Sequence, residues 1–179
     1  FYDVAVWNWV LIVVGMGTAV MSAVFAVQKT DLKKLTAYST VSHLGWIVAT
    51  IGVGTPFAIG AALVHTLAHA LFKSSLFMLI GVVDHEAGSR DMRKLSGLIR
   101  FMPITATLAM VAAAAMAGVP LLNGFLSKEM FLAEAVASVN THGLNLVLPA
   151  LATLASAFSV LYSLRFIHTT FFGPPPTEL

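Results

Sequence analysis

The sequence predicts an all-α, polytopic membrane protein, and three features of its composition and pattern support this. The 179 residues are 58% hydrophobic and only 10% charged, and the mean hydropathy is +0.88. Soluble domains usually carry about 25% charged residues, so most of this surface must face lipid. Within lipid only helices and closed barrels satisfy all their backbone hydrogen bonds, and the alternating pattern typical of strands is absent from the sequence.

Five apolar segments are long enough to cross a hydrocarbon core of about 30 Å, which takes roughly 20 residues. We place them, within a single membrane domain, at residues 4–27, 35–52, 57–83, 101–137 and 144–172. The fourth segment is too long for one straight helix and is interrupted by GVPLLNG at 118–124. Its proline removes a backbone donor and its glycines relax φ, so we expect five spanning helices, one of them broken.

The individual segments differ in polarity. The first and fifth are almost wholly apolar, whereas the second carries Ser39, Ser42 and His43. Asp31 precedes the second segment and is placed to cap its helix. The third contains the most unusual stretch, VHTLAHALFKSSLF, at 64–77.

The basic residues predict the topology. If the chain crosses the membrane at every span, loops 29–34 and 84–100 share one side with the end of the fifth span. Eight of the ten lysines and arginines then lie on that side, and the opposite loops, 53–56 and 138–143, carry none. The positive-inside rule assigns the basic side to the cytoplasm. The two remaining cations, Lys73 and Lys128, fall inside predicted spans.

His65, His69 and Lys73 follow one another at intervals of four residues, which places them on one face of a helix. A lysine at mid-membrane costs at least about 2.5–3.5 kcal/mol on insertion scales, so it normally faces a protein interior or water and serves a function. Histidine gains and loses a proton near neutral pH. The stripe therefore favours a proton relay.

The stripe also has less specific interpretations. A single intramembrane histidine often only bonds a neighbouring helix, and two histidines four residues apart also suit a metal ion. No HExxH pattern, cysteine or carboxylate lies within this span, so a metal is disfavoured, and no cofactor is expected. A haem would need histidines on facing helices.

Lys128 follows the predicted break by about one turn, with Glu129 beside it. Broken membrane helices expose backbone carbonyls and partial charges within the bilayer, a design common in transporters. We favour a second functional site here over a kink with a snorkelling lysine.

Secondary candidates lie nearby. His43 either extends a polar channel or bonds a neighbouring helix, and these two interpretations stay open. Asp84, His85 and Glu86, at the cytoplasmic end of the third span, either gather protons or are simply solvated.

Three stretches together resemble a known family: QKTDLKKLTAYSTVSHLGWI (28–47), HTLAHALFKSSLFMLIG (65–81) and LLNGFLSKEMF (121–131). They are similar to the proton-translocating antiporter-like subunits shared by respiratory complex I and Mrp-type cation/proton antiporters. Two further stretches favour the large A subunit of Mrp-type Na⁺/H⁺ antiporters: DHEAGSRDMRKLSGL (84–98) and FFGPPPTEL (171–179). Complex I relatives more often carry Gln at the position of His43 and Asp at that of Glu129.

The resemblance implies a fold and a set of functional residues. The five spans match one five-helix unit of the inverted repeats in this family, each of which contains a broken helix. His65, His69 and Lys73 match the central relay, and Lys128 matches the terminal lysine on the broken helix. We expect the sequence to be a piece of a longer protein.

The implied function is the proton-translocating part of a multisubunit Na⁺/H⁺ antiporter in the plasma membrane, a secondary transporter rather than an enzyme. Its expected partners are the other components of the antiporter complex, the lipid bilayer, H⁺ and Na⁺, with K⁺ or Li⁺ as alternative cations. Nucleic acid is not expected, since the net charge is only +2. The alternative is a proton-pumping subunit of a complex I or membrane-hydrogenase type redox enzyme. A transport-inactive scaffold is disfavoured, because it has no reason to keep such costly groups in lipid.

Overall fold

The computed structural model describes residues 4–137 and 146–174. These residues are helical apart from short connections, which confirms the predicted all-helical fold class. The helices are α1 (Ala5–Gln28), α2 (Leu32–Gly52), α3 (Pro56–Ala87), α4 (Pro103–Ala117), α5 (Asn123–Ala137) and α6 (Val147–Phe171). The predicted loop at 138–143 and the start of the predicted fifth span lie outside the described residues.

Three helices among the described residues, α1, α3 and α6, are long and apolar enough to cross a bilayer. They contain 24, 32 and 25 residues, respectively. Helix α4 is apolar but has only 15 residues, and α2 is more polar. The chain is therefore a multi-pass membrane protein, and the predicted count of five spans is supported directly for these three helices.

Helix α3 extends one turn beyond its predicted span. It ends at Ala87, where Gly88 adopts the left-handed conformation (φ 64°) that terminates many helices. Asp84, His85 and Glu86, which the sequence placed in the following loop, therefore belong to the last turn of α3. Helix formation continues there because none of these residues removes a backbone donor, whereas Gly88 favours the left-handed turn.

Helices α1 and α2 approach closely at two glycines. A Cβ atom added to Gly15 would lie 2.5 Å from the Ala49 amide nitrogen, and one added to Gly45 would lie 2.6 Å from the Gly15 carbonyl oxygen. Small residues allow such close packing between membrane helices. Nearby, the Ser42 hydroxyl donates to the Ala19 carbonyl at 2.7 Å. Together these contacts hold α2 against α1.

The ends of α2 and α3 that carry the basic loops are joined by a short clasp. Asp31 caps α2 by accepting from the Lys34 amide at 3.0 Å, and it also accepts from the Arg90 guanidinium at 2.9 Å. Backbone hydrogen bonds from Leu32 to Arg90 and from Met92 to Thr30 complete the contact. The clasp helps to set α2 relative to α3.

The chain leaves helical geometry between α4 and α5, at the segment where the sequence predicted a break. Gly118 ends α4 with φ 88°, and Leu121 has φ 76° and is fully exposed. Helix α5 then packs against α4 so closely that a Cβ atom on Gly124 would lie 1.9 Å from the Ala115 carbonyl oxygen.

Two apolar clusters occupy opposite ends of the bundle. One includes Leu32, Leu76 and Phe166, and the other includes Met16, Trp46 and Phe131. A set of buried polar residues lies between them along the helices, and we call it the polar layer: Ser22, His43, His65, Ser127, Lys128 and Ser159. Apolar packing thus flanks the polar layer on both sides along the helices.

The α1–α2 contact yields the first prediction. We expect Gly45→Ala to lower the free energy of unfolding by about 1–3 kcal/mol, because the added methyl group overlaps the α1 backbone. The measurement is denaturation of the purified parent complex in detergent. Gly17→Ala is the matched control, since a Cβ atom there meets nothing within 4 Å. Equal stability of the two variants would contradict the close α1–α2 contact.

Candidate functional site

His43 hydrogen-bonds through both of its ring nitrogens. Its Nδ1 lies 3.1 Å from Nε2 of His65 on α3, and its Nε2 lies 3.2 Å from the Tyr162 hydroxyl on α6. The other ring nitrogen of His65, Nδ1, lies 2.7 Å from the Ser127 hydroxyl on α5. These four side chains are all buried, so the contacts form one chain across four helices. His43 thus bonds two neighbouring helices, and its part in a polar channel stays a prediction.

The chain can be ordered from end to end. If the Tyr162 hydroxyl donates to His43, the Nδ1–H of His43 donates to His65, and the Nδ1–H of His65 donates to Ser127. Ser127 in turn donates to the Gly124 carbonyl at 3.1 Å. A neutral imidazole has one donor and one acceptor nitrogen, so this order satisfies all four hydrogen bonds, whereas the reverse order gives the Ser127 proton to His65 and loses the bond to the Gly124 carbonyl. Reversing the order exchanges the tautomer of both histidines.

Lys73 on α3 points to α2 rather than to the histidines of its own helix. Its Nζ donates to the Thr36 carbonyl at 3.1 Å and to the Ser39 hydroxyl. Ser39 lies four residues before His43 on α2, so the two share a face at a spacing of about 6 Å. Lys73 is 4% exposed, and no ion pair involves it among the described residues.

Lys128 on α5 is held by the end of the broken helix. Its Nζ donates to the Met116 and Ala117 carbonyls at 3.1 and 3.0 Å and to the Ser159 hydroxyl at 3.1 Å. The two carbonyls belong to the last turn of α4, where the helix dipole is negative. The break therefore supplies the acceptors that stabilise a buried ammonium group without a carboxylate.

His69 lies beside this chain without joining it. Its ring centroid is 5.5 Å from that of His43 and 5.6 Å from that of Phe72. Its Nε2 is buried and has no hydrogen-bond partner among the described residues. Buried polar atoms usually have a protein or water partner, so this nitrogen marks a position where a water molecule would connect His69 to the site.

The predicted stripe of His65, His69 and Lys73 is present on α3, but the hydrogen bonds run across helices. Within the part of the chain that the structure describes, none of the three bonds another. His65 bonds α2 and α5, and Lys73 bonds α2. Positions four residues apart on a helix are about 6 Å apart, so neighbouring helices reach these side chains first.

The secondary candidates lie away from the buried chain. Glu129 is exposed and faces, with Lys128 and Ser156, a cavity of about 620 Å³. Asp84, His85 and Glu86 are exposed at the end of α3, where His85 pairs with Glu86 at 3.1 Å and Asp84 lies 3.9 Å from Arg90. Lys73 is eleven residues before Asp84 on α3, which corresponds to about 16 Å. The contacts among the described residues do not join this cluster to the buried chain.

Sequence reasoning missed the hydroxyl groups that link the charged residues. Tyr162 and Ser159 lie on α6, Ser127 precedes Lys128, and none of them was singled out. Polar residues at 156, 159, 162 and 163 in an otherwise apolar helix were the available signal. Glu134 was also missed; it accepts from the Thr55 hydroxyl at 2.5 Å where α5 meets the beginning of α3.

Comparison with known proteins shows which protein family this polypeptide matches. A family model described as "NADH:quinone oxidoreductase/Mrp antiporter, TM" matches residues 2–165. A Rhizobium meliloti protein, named as the A/B subunit of a probable K⁺/H⁺ antiporter, is 57% identical over 97% of this chain and 17% of its own length. The large A subunit of the Na⁺/H⁺ antiporter of Bacillus subtilis is 41% identical over 94% of this chain and 23% of its own length.

Two solved structures share the fold. A chain of the Mrp complex from Dietzia sp. is 52% identical with a TM-score of 0.87, over 97% of this chain and 20% of that chain. A chain of an archaeal membrane-bound sulfane sulfur reductase, a respiratory membrane complex, is 34% identical with a TM-score of 0.87, over 96% and 28%. The present chain thus spans about a fifth to a quarter of the length of these relatives.

The cross-helix contact yields the second prediction. We expect cysteines at positions 43 and 65, introduced as His43→Cys and His65→Cys, to be joined by a short thiol cross-linker, because the two ring centroids are 5.2 Å apart. Peptide mass spectrometry of the parent complex, in a background without other cysteines, measures the yield. Leu44→Cys with His65→Cys is the control pair, since the Leu44 side chain is exposed. Similar yields from both pairs would contradict the contact.

Proposed function

Since the chain belongs to the NADH:quinone oxidoreductase/Mrp antiporter transmembrane family, we propose that it is the proton-translocating part of a multisubunit monovalent cation/proton antiporter. One observation carries this proposal. Histidines and hydroxyl groups form a continuous buried chain between helices, and beside it lie two lysines that have no ion pair among the described residues. A structural role alone does not require this many costly groups in a lipid-facing bundle.

The proposed path runs along Lys73, the histidines and Lys128. Lys73 is the central proton carrier, His65 and His69 relay from it, and His43 joins them from α2. Ser39, which binds Lys73 and shares a face with His43, connects the first step. A water molecule at the unpaired Nε2 of His69 would shorten the distance that a proton must cross between Lys73 and the histidines. Lys128 is the gate at the other end of the path, and Glu129 supplies a carboxylate beside it.

Electrostatic repulsion couples the two lysines. A charged ammonium group that lacks a carboxylate partner disfavours a second positive charge nearby, and this effect is stronger in an apolar interior than in water. Arrival of a proton at one lysine therefore promotes release from the other. The direction we propose is inward movement of protons coupled to outward movement of the cation.

We propose that the cation itself binds mainly to parts of the complex other than this polypeptide. Na⁺ and K⁺ prefer oxygen ligands, and among the described residues the buried chain supplies hydroxyl oxygens but no carboxylate. The relatives are named as antiporters of different cations, K⁺ in Rhizobium meliloti and Na⁺ in Bacillus subtilis. We propose Na⁺ as the coupled ion, with K⁺ or Li⁺ as alternatives to be measured in the same assay.

The proposed setting is the plasma membrane, with the other components of the antiporter around the chain. We propose that α2 crosses the bilayer, and that α4 and α5 together form one broken span, which brings the number of spans to five. The basic loops 29–34 and 84–100 then face the cytoplasm. The chain itself works as part of a transporter, without a catalytic centre or cofactor of its own.

The second candidate function is proton pumping in a redox complex. It is favoured by the likeness to a chain of the sulfane sulfur reductase, which has the same TM-score as the Mrp chain but lower identity. The same relay would serve, with the driving force supplied by electron transfer elsewhere in the complex. We place it second because the relatives with higher identity are named as antiporters.

The third prediction tests the relay. In everted vesicles that contain the whole parent complex and hold an acid-inside pH gradient, Na⁺ should dequench a pH-sensitive dye. We expect Lys73→Ala to lower this rate by about 10²-fold or more, the usual contribution of a positioned proton-transfer group. Lys73→Arg should also fail, because arginine does not release its proton. Lys94→Ala, at an exposed lysine, is the matched control.

Either of two results would contradict the proposal. Equal Na⁺-dependent dequenching in wild type and Lys73→Ala would exclude this stripe as the proton path. Acidification that requires an electron donor and ignores Na⁺, K⁺ and Li⁺ would favour the redox pump instead.

A further inference from the structure

We propose that Tyr162, acting with Ser159, conducts protons between His43 and Lys128. The inference rests on the proposed function and adds two residues of α6 to it. It follows from a gap in the path, since the histidines and Lys128 are both buried but do not bond each other among the described residues. The hydroxyl groups of α6 fill that gap.

The contacts place the Tyr162 hydroxyl between the two sites. Tyr162 is completely buried, and its hydroxyl is the hydrogen-bond partner of Nε2 of His43 at 3.2 Å. Ser159 lies three residues earlier on α6 and therefore on the same face as Tyr162, and its hydroxyl donates to the Met116 carbonyl at 3.2 Å. The Ser159 hydroxyl also accepts from Nζ of Lys128 at 3.1 Å. The order Lys128, Ser159, Tyr162, His43, His65 and Ser127 is therefore hydrogen-bonded at every step except from Ser159 to Tyr162, which requires the Ser159 hydroxyl to rotate away from the Met116 carbonyl.

The other partners of Lys128 offer no comparable route. The Met116 and Ala117 carbonyls accept hydrogen bonds but cannot pass a proton on. Ser127 precedes Lys128 but lies about 100° away around the helix, and its hydroxyl is directed to the Gly124 carbonyl. Among the described residues, the α6 hydroxyls are the side chains able both to donate and to accept that bond Lys128 at one end and His43 at the other.

The transfer step balances without any other reactant. Once the Ser159 hydroxyl has rotated from the Met116 carbonyl to the Tyr162 oxygen, the Lys128 ammonium gives a proton to the Ser159 oxygen as Ser159 gives its own proton to the Tyr162 oxygen. Tyr162 then gives its proton to Nε2 of His43. Each hydroxyl ends with one proton, Lys128 becomes neutral, and His43 carries the transferred proton. The reverse sequence returns the proton, and neither hydroxyl needs to ionise in a concerted transfer.

A purely structural role and proton conduction require different parts of the Tyr162 side chain. Packing requires the ring of Tyr162, which belongs to the apolar cluster around Leu76 and Phe166. Conduction requires its hydroxyl. Phenylalanine retains the ring and removes only the hydroxyl, so one substitution separates the two roles.

The test compares two matched pairs of variants in the whole parent complex. Tyr162→Phe is paired with Tyr38→Phe, whose ring packs against Phe25 away from the chain. Ser159→Ala is paired with Ser163→Ala, whose buried hydroxyl donates to the Ser159 carbonyl of its own helix at 2.7 Å. Rates of cation/proton exchange in proteoliposomes are measured in H₂O and D₂O, with the thermal stability of each complex.

We expect Tyr162→Phe and Ser159→Ala to slow exchange by about tenfold to 10²-fold, the larger figure being the low end of the contribution of a positioned proton-transfer group. The concentration of cation at half-maximal rate should be unchanged, and the solvent isotope effect should increase because proton transfer becomes more rate-limiting. The two control variants should retain the wild-type rate and isotope effect.

Wild-type rates and isotope effects in Tyr162→Phe and Ser159→Ala would overturn the inference while leaving the relay intact, provided that Lys73→Ala still abolishes exchange. A slower rate with a wild-type isotope effect would overturn it too, since that result indicates a packing defect. If Lys73→Ala and Lys128→Ala both exchange normally, the proposed function fails instead. Should Tyr162→Phe fail to assemble, the Ser159→Ala and Ser163→Ala pair decides.

Discussion

The requirement that buried polar groups be hydrogen-bonded governs this structure, and His43 meets it with both ring nitrogens. One nitrogen binds His65 on α3 and the other binds Tyr162 on α6. In an apolar interior such bonds are strong, and an unpaired polar group is costly. The orientation of α2 is therefore tied to that of two other helices. The remaining polar layer depends on this arrangement, because His65 in turn holds Ser127 on α5.

The break between α4 and α5 supplies the hydrogen-bond acceptors that a buried full positive charge, that of Lys128, requires. An unbroken helix satisfies its carbonyls internally and has none left for a lysine. Ending α4 at Ala117 frees the carbonyls that Lys128 binds, and the negative end of the helix dipole adds to their effect. Gly118 and Gly124 permit the turn and the close return of α5. The same local irregularity thus creates the site and closes the bundle around it.

Apolar clusters flank the polar layer on both sides along the helices. The two solved chains that share the fold with the same TM-score, 0.87, come from an Mrp complex and from a respiratory membrane complex. The proposed relay is compatible with both settings, since it assigns neither driving force, the ion gradient or electron transfer, to this chain.

Much of the site was predictable from the sequence by itself. Long apolar segments require helices in lipid, and the unusual cost of Lys73 and Lys128 in such segments marked them as candidates for a functional site. The partners of these residues were not predictable. His43 precedes His65 by 22 residues and Tyr162 follows His43 by 119, so their contact depends on how the helices are rotated against one another. The sequence determined which groups are buried in the membrane, and the tertiary structure decided which of them touch, because helix rotation is fixed by packing such as the approach at Gly45 rather than by residue spacing.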